Sequence, residues 1–143
     1  MELQYVLLRP EARAPTRAHE TDAGFDLYAL DDVSLPAGGR AGIATGIAVA
    51  LPRFHVGLIC ARSGLAHRYR VTVLNAPGVV DEGYRGELVV LLINTDAAVA
   101  HQVRAGNRIA QLVVLPVAPL VAIRVQGLPG TPRGPSGFGS TGA

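Results

Sequence analysis

Short β-forming runs separated by turn residues fill this sequence from end to end, and this alternation constrains its fold more than any other feature. Turn signals such as PAGG, NAPG, DEGYRG and RAGN lie between the runs, at the spacing of a β-sandwich or barrel. No window keeps a helical period, and the best helix candidate is a turn or two at SGLAHRY. The pattern predicts an all-β fold, a sandwich or a jelly-roll-like barrel. The predicted strands are LQYVLL, GFDLYAL, RAGIA, GIAVAL, HVGLICA, VTVL, GELVVLLIN, AVAHQV, RIAQLVVLPV and PLVAIRV.

Length and composition point to one globular domain. The chain has 143 residues, of which 49% are hydrophobic and 17% charged, enough to bury a core but not to divide into two. The longest uncharged stretch, residues 109–123, is broken by Gln111, Pro116 and Pro119, which excludes a membrane span. The start, MELQYVLLRP, has no signal-peptide pattern. We therefore expect a soluble cytoplasmic protein.

Charge and metal-ligand spacing exclude two classes of function. The 13 basic residues are all arginine, and the net charge is only +2, so a nucleic-acid surface is not expected. His19, His55, His67 and His101 lie far apart, without the spacing of zinc ligands. The single cysteine, Cys60, lies in an apolar run and is interpreted as a small buried residue without a chemical role.

Two of the predicted strands lack a clean alternation of apolar and polar residues. These are LVVLLIN and LVVLPV, and such strands are normally covered on both faces. Because a chain of this size has little interior, part of this apolar surface is expected to meet another subunit, which predicts a homo-oligomer.

The polar residues with chemical potential cluster in turns. In NAPGVVDEGYRGE, Asn75, Asp81, Tyr84 and Arg85 are predicted to lie on one tight hairpin, although any hairpin uses Asn, Asp and Gly. Tyr84 has a glycine close by on each side in the sequence. Because glycine has no side chain to cover the tyrosine ring, that ring could present a face to a ligand ring.

Three further stretches carry candidate ligands. In ARSGLA, Arg62 and Ser63 could hold a phosphate, or Ser63 could simply be a helix N-cap. In GNRIAQLVV, Arg108 and Gln111 are three residues apart, so a regular strand would point them to opposite faces. In AGFDLYA, Asp26 lies in an apolar run, where a carboxylate needs a hydrogen-bond partner or a function.

Five stretches together, AGFDLYA, ARSGLA, VLNAPGVVDEGYRGE, GNRIAQL and RGPSGFGSTG, closely resemble the ordered motifs of the trimeric dUTP diphosphatases (dUTPases). The likeness runs from Ala23 to Gly142. It implies a distorted jelly-roll-like β-barrel over residues 1–126 and a flexible Gly-rich tail, residues 127–143, that closes over the active site. It also implies a homotrimer whose active sites are each shared by all three subunits.

The resemblance implies hydrolysis of dUTP to dUMP and pyrophosphate, which limits uracil incorporation into DNA and supplies dUMP for thymidylate synthesis. Asp81 would be the general base that activates water for attack on the α-phosphorus. Tyr84 would pack on the deoxyribose and leave no room for a 2′-hydroxyl. The pyrimidine slot would be formed by Asn75, Gly78 and the main chain at Val79, Val80 and Val89.

The resemblance also assigns the triphosphate end. Arg62, Ser63 and Gly64 would bind phosphates, and Gln111 would contact the α-phosphate region. Asp26 would organise the water shell of Mg²⁺, which would be held by the triphosphate and water with no direct protein ligand.

The tail motif completes the implied site. Phe138 would stack over the uracil, and Arg133 would close on the β- and γ-phosphates with the remaining tail ligands, Gly139, Ser140 and Thr141. Two positions depart from the family pattern, which usually has glycine where this chain has Arg70 and Ser136.

The sequence disfavours two alternatives. The related dCTP deaminases share the segment around Asp81, but they carry RSS in place of Arg62-Ser63-Gly64 and a catalytic glutamate where this chain has Leu91. A non-enzymatic trimeric scaffold of the same fold would be expected to have lost Asp81, Tyr84 or the tail.

Overall fold

The computed structural model describes residues 1–137, which form short antiparallel strands and one helix, α1 (Ser63–Tyr69). The helix falls on SGLAHRY, the segment that the sequence favoured. No helix in this described part of the chain is long and apolar enough to cross a membrane. The strands are β1 (Gln4–Leu7), β2 (Gly24–Tyr28), β3 (Val33–Leu35), β4 (Arg40–Ala44), β5 (Ile47–Ala50), β6 (His55–Cys60), β7 (Val71–Val73), β8 (Gly78–Val80), β9 (Val89–Asn94), β10 (His101–Val103) and β11 (Arg108–Pro116).

The strands form two larger sheets and two small ones. The larger sheets have the orders β2-β11-β6-β8 and β4-β9-β7, and the small ones pair β1 with β5 and β10 with β3. Every pairing is antiparallel. The prediction of an all-β, jelly-roll-like fold is therefore confirmed. The short strands β3 and β8 were not among those that the sequence predicted.

One apolar core takes buried side chains from both larger sheets and from both small ones. Burying a Leu, Ile or Val side chain contributes roughly 1.5–3 kcal/mol, so this core supplies the main favourable term in folding. The largest fully buried side chains are Leu27, Leu35, Ile43, Ile47, Leu88, Leu92, Ile109, Leu112, Val71, Val90, Val103 and Asn94.

An irregularity in β11 overturns one prediction about side-chain direction. The register with β2 shifts between Arg108 and Ala110, and Ile109 and Ala110 are both buried. Such a bulge adds one residue and reverses the alternation beyond it. Arg108 and Gln111 therefore point into the same cavity, and the expectation that they face opposite sides was wrong.

Residues 75–89 do not form the tight hairpin that their turn residues predicted. β8 pairs with β6, whereas β9 pairs with β4 and β7. The segment therefore leaves one large sheet and enters the other. The prediction failed because turn residues mark a change of direction but do not identify the neighbouring strand.

The apolar run PLVAIRV was also predicted as a strand, and it forms none. Val117 donates its N–H to the Phe54 carbonyl, but beyond it the chain pairs with no strand among residues 1–137. Leu120, Val121 and Ile123 are 88%, 85% and 77% exposed. A run with strong β propensity still needs a neighbouring strand to pair with, and none of the strands within residues 1–137 pairs with this run.

The two departures from the family pattern lie away from the cavities described below. Arg70 ends α1 in the left-handed conformation, with φ 54° and ψ 28°, which explains why glycine is usual there. Its side chain faces Asp96, with 3.7 Å between Nε and Oδ2. Ser136 donates its N–H to the Arg133 carbonyl in a turn of the tail.

Candidate active site

Two cavities lie at different edges of the four-stranded sheet, and they share no lining residue. The first, the apolar cavity, has a volume of about 260 Å³ and is lined by Ile59, Asn75, Gly78, Val79, Val80, Asp81, Tyr84, Glu87, Leu88, Val89 and Leu91. The second, the polar cavity, has a volume of about 310 Å³ and is lined by Ala18, Asp22, Ala23, Gly24, Asp26, Arg62, Ser63, Gly64, Arg108 and Gln111.

The apolar cavity is built on β8, the edge strand of its sheet. Because β8 pairs only with β6, alternate N–H and C=O groups of residues 78–80 are available to a ligand. Asn75 lies against this strand, since a Cβ on Gly78 would be 3.2 Å from the Asn75 Nδ2. Asp81 follows at the end of the strand. A flat polar ring could be read here by backbone groups and one amide.

Tyr84 is held by its own loop. Its hydroxyl donates to the Glu87 carbonyl at 3.0 Å, and its ring covers Gly86, where a Cβ would lie 2.6 Å from the Tyr84 Cζ. Arg85 Nη1 donates to the carbonyls of Glu82 and Tyr84, both at 2.7 Å. The aromatic wall of the cavity is therefore fixed before any ligand arrives.

Glu87 lines the same cavity, and the sequence did not single it out. Its Oε1 accepts the Gly46 N–H at 2.7 Å. The buried Thr45 Oγ1 donates to the Leu88 carbonyl at 2.6 Å. These bonds fix the end of the cavity segment to the corner between β4 and β5. The partner of Glu87 is 41 residues away, so no local pattern could have identified this role.

The polar cavity contains a carboxylate shared by two guanidinium groups. Asp26 Oδ1 lies 3.1 Å from Arg62 Nε, and Asp26 Oδ2 lies 3.3 Å from Arg108 Nη1. Arg62 Nη1 also donates to the Arg108 carbonyl at 3.4 Å. The expectation that Asp26 needs a hydrogen-bond partner is thus confirmed. In turn, the Asp26 carboxylate holds the guanidinium groups of Arg62 and Arg108 beside the cavity.

Ser63 and Gln111 complete this cavity. Arg62 is the residue at the N-cap of α1, without a side-chain capping bond, so Ser63 is not the N-cap that the simpler interpretation required. Gln111 Nε2 donates to the Ala61 carbonyl at 3.1 Å. Its amide packs on Gly24, where a Cβ would be 2.5 Å from the Gln111 Oε1. The Gln111 side chain is therefore positioned from both sides.

The residues present fit a cation that arrives with its ligand. No three His, Cys, Asp or Glu side chains within residues 1–137 are close enough to hold a metal ion. Asp22, which the sequence did not single out, lines the polar cavity with Asp26, and its Oδ2 accepts the His19 N–H at 2.9 Å. Two carboxylates could accept hydrogen bonds from the water shell of Mg²⁺, a cation that usually retains several waters.

The predicted site residues thus divide between the two cavities of one chain. Arg133 lines neither, and its Nε donates to the Ser136 carbonyl at 3.1 Å. The other predicted tail ligands lie outside the described residues; they are Phe138, Gly139, Ser140 and Thr141. The residues in the apolar cavity are Asn75, Gly78, Val79, Val80, Asp81, Tyr84 and Val89. Those in the polar cavity are Asp26, Arg62, Ser63, Gly64 and Gln111.

Comparison with known proteins gives a consistent result. The dUTPase family model matches residues 10–142. The deoxyuridine 5'-triphosphate nucleotidohydrolase of Mycobacterium marinum is 50% identical, with 98% of this chain and 94% of that protein covered. That of Rhodococcus erythropolis is 52% identical, with 94% and 82% covered.

A solved structure of a phage enzyme resembles the chain over nearly its whole length. The dUTPase of Staphylococcus bacteriophage 80alpha with dUpNHpp has a TM-score of 0.93 at 30% identity, with 99% of each chain covered. A mutant dUTPase from phage phi11 of S. aureus, described as revealing the coordination of a structural Mg(II) ion, has a TM-score of 0.83 at 28% identity, with 89% of this chain and 98% of that one covered. Sequence, fold and the contents of the two cavities lead to one conclusion: the chain belongs to the dUTPase family.

Proposed function

We propose that this member of the dUTPase family hydrolyses dUTP to dUMP and pyrophosphate in a site that combines the two cavities from different subunits. The observation that carries the proposal is the division of the candidate site residues between the two cavities. Asp81 and Tyr84 line the apolar cavity, while Arg62 and Gln111 line the polar one. A nucleoside triphosphate has the same division, with a flat ring and sugar at one end and charged phosphates at the other.

The apolar cavity would hold deoxyuridine. The Asn75 amide and main-chain groups at Val79, Val80 and Val89 would pair with the uracil edge, which discriminates against cytosine because its donors and acceptors are exchanged. The ring of Tyr84, fixed on Gly86, would pack against the deoxyribose where a 2′-hydroxyl would otherwise lie.

Asp81 would act as the general base. A carboxylate within hydrogen-bond reach of a water can take its proton while the water oxygen attacks the α-phosphorus. The bond from the α-phosphorus to the bridging oxygen then breaks, and pyrophosphate leaves. Asp81 lines the cavity that would hold the nucleoside. A water bound to Asp81 would therefore lie beside the bound nucleotide, from where it would attack the α-phosphorus.

The polar cavity would hold the phosphates. The Arg62 guanidinium, the Ser63 hydroxyl and the Gly64 backbone would bind phosphate oxygens, and Gln111 would contact the α-phosphate. Mg²⁺ bound to the triphosphate would neutralise charge that develops during the transfer. Asp26, with Asp22, would orient the water shell of that ion.

A homotrimer would bring the cavities together. In one chain, β2 and β8 are separated by β11 and β6, which places the outer strands about 14 Å apart at the usual strand spacing. The exposed side chains of Leu120, Val121 and Ile123 form an apolar arm with no cover from the described residues of its own chain. Contact with a second subunit would bury this arm and set one chain's Asp81 beside the next chain's Arg62.

The tail would close the site from the third subunit. Phe138 would stack on uracil, while Arg133 with Gly139, Ser140 and Thr141 would bind the β- and γ-phosphates. A chain that ends at Gly130 should therefore remain folded but lose most of its dUTP turnover, as measured by pyrophosphate release. Normal turnover of the shortened protein would contradict this role.

The product and substrate indicate the role in the cell. Removal of dUTP limits uracil incorporation into DNA, and dUMP is the precursor of thymidylate. We place the enzyme in the cytoplasm because its substrate belongs to the soluble pool of DNA precursors.

A substrate panel tests the proposed reaction and the role of Asp81 together. The wild-type protein with Mg²⁺ should release pyrophosphate from dUTP, and not from dCTP, dTTP or UTP. Asp81→Asn should still bind dUTP but lose about 10²- to 10⁴-fold in turnover, because the base is removed while the cavity keeps its shape. Asp32→Asn is the matched control, since Asp32 pairs with Arg104 at 2.8 Å outside both cavities, and its turnover should be unchanged.

Each failure of this panel has a distinct meaning. Ammonia from dCTP would support a deaminase, although Leu91 lines the apolar cavity at the position of that family's glutamate. No turnover of any nucleotide would support a scaffold. Near-normal dUTP turnover by Asp81→Asn would exclude Asp81 as the base.

Two glycines test the role of Tyr84 in sugar selection. Gly86→Ala should displace the tyrosine ring, because the added methyl group occupies its place, and should weaken dUTP binding and the discrimination against UTP. Gly83→Ala is the control, since a Cβ there meets no atom within 4 Å. The measurement is kcat/KM for dUTP and UTP. Equal discrimination in the two variants would contradict the sugar contact.

A further inference from the structure

Arg108 has no part in the scheme above, yet it lines the polar cavity. Its side chain is 49% exposed, whereas that of its partner Asp26 is 15% exposed. The guanidinium therefore lies nearer to solvent than the carboxylate that holds it. A cation in this position is accessible to a ligand that enters the cavity.

We infer that Arg108 is a second phosphate-binding arginine, which acts beside Arg62 on the triphosphate of the bound nucleotide. The inference rests on the proposed function for the identity of the nucleotide. The cavity itself supplies guanidinium, hydroxyl and amide donors for an anionic ligand, which is the chemistry that phosphate oxygens require.

The backbone directs Arg108 into the cavity. Without the bulge between Arg108 and Ala110, Arg108 and Gln111 would face opposite sides of β11. With it, Ile109 and Ala110 are both buried, and the polar residues before and after them share one cavity. A bulge that redirects a side chain is a common device beside active sites.

The arrangement of charges also suits an anion that carries a cation with it. The charged residues that line the cavity are Asp22, Asp26, Arg62 and Arg108. The four charges sum to zero, but Asp26 alone lies within ion-pair distance of the arginines, so two guanidinium groups share one carboxylate. Asp22 accepts a hydrogen bond from its own loop. The cavity thus offers cations to phosphate oxygens and carboxylates to the water shell of a phosphate-bound cation.

Arg108 also retains the donors that such a contact needs. A guanidinium has five N–H groups in a planar fork that matches phosphate oxygens. Among the described residues, its side chain makes one hydrogen bond, from Nη1 to Asp26. Asp26 therefore orients the Arg108 guanidinium, and the N–H groups of that guanidinium that do not face Asp26 are available to phosphate.

The alternative role for Arg108 is structural, as a clamp that only positions Asp26. The two roles predict different patterns of inhibition. A phosphate ligand affects polyphosphate binding and leaves nucleoside binding unchanged. A clamp whose loss disturbs the fold lowers the melting temperature and weakens both.

The test compares Arg108→Gln with the wild-type protein, using inorganic tripolyphosphate with Mg²⁺ and deoxyuridine as separate probes. Loss of a charge-assisted hydrogen bond should weaken tripolyphosphate binding about 10- to 100-fold, measured by calorimetry. Deoxyuridine inhibition and the melting temperature should stay near the wild-type values, and KM for dUTP should rise. Arg108→Lys should recover part of the affinity because it restores the charge but not the fork.

Arg104→Gln is the matched control, because Arg104 is an exposed arginine paired with Asp32 that lines neither cavity. It should bind tripolyphosphate like the wild type. Unchanged tripolyphosphate binding in Arg108→Gln, or an equal loss for both probes with a lower melting temperature, would overturn the inference. If the wild-type protein binds tripolyphosphate but does not hydrolyse dUTP, the proposed function fails while the calorimetry still decides the role of Arg108.

Discussion

The pairing of β11 with β2 and β6 is the constraint on which both the polar cavity and the core depend. Gln111 lies opposite Asp26 on one side and Cys60 on the other, so the register of one strand brings two distant motifs into one row. Slipping an antiparallel pair by one residue would turn every side chain to the other face. The buried Leu112 and the cavity-lining Gln111 are adjacent on this strand, so a single register fixes the core and the polar cavity together.

One chain holds the two cavities that we propose to combine into a nucleotide site, and side-chain contacts hold each of them together. The apolar cavity is fixed by the bonds of Tyr84, Glu87 and Thr45. The polar cavity is fixed by the pairs around Asp26. Under the proposed function, neither cavity alone has both the general base and the phosphate-binding arginines. The proposed trimer would complete the site and would also cover the exposed apolar side chains beyond Val117.

The sequence predicted the all-β class, the helix at 63–69 and many of the residues that line the two cavities, because alternation, turn residues and ordered motifs are local signals. Asp22 and Glu87, which also line them, lie outside those signals. Prediction from the sequence failed where partners are distant. The extra residue in β11 reversed the direction of Arg108, and no local pattern marked it. Residues 75–89 cross from one sheet to the other, and Glu87 bonds to Gly46. Both features depend on partner segments that are distant in the sequence. The apolar run at 119–125 has strand propensity without a partner strand among residues 1–137.

The central claim is that a complete site needs Asp81 from one subunit and Arg62 from another. Two inactive proteins, Asp81→Asn and Arg62→Gln, should be mixed, unfolded and refolded together, and assayed for pyrophosphate release from dUTP. Random assembly of equal amounts should restore about a quarter of the wild-type activity, since that fraction of neighbouring pairs in a cyclic trimer carries both intact residues. Activity no greater than that of the separate variants, in a mixture shown to contain mixed oligomers, would contradict the shared site.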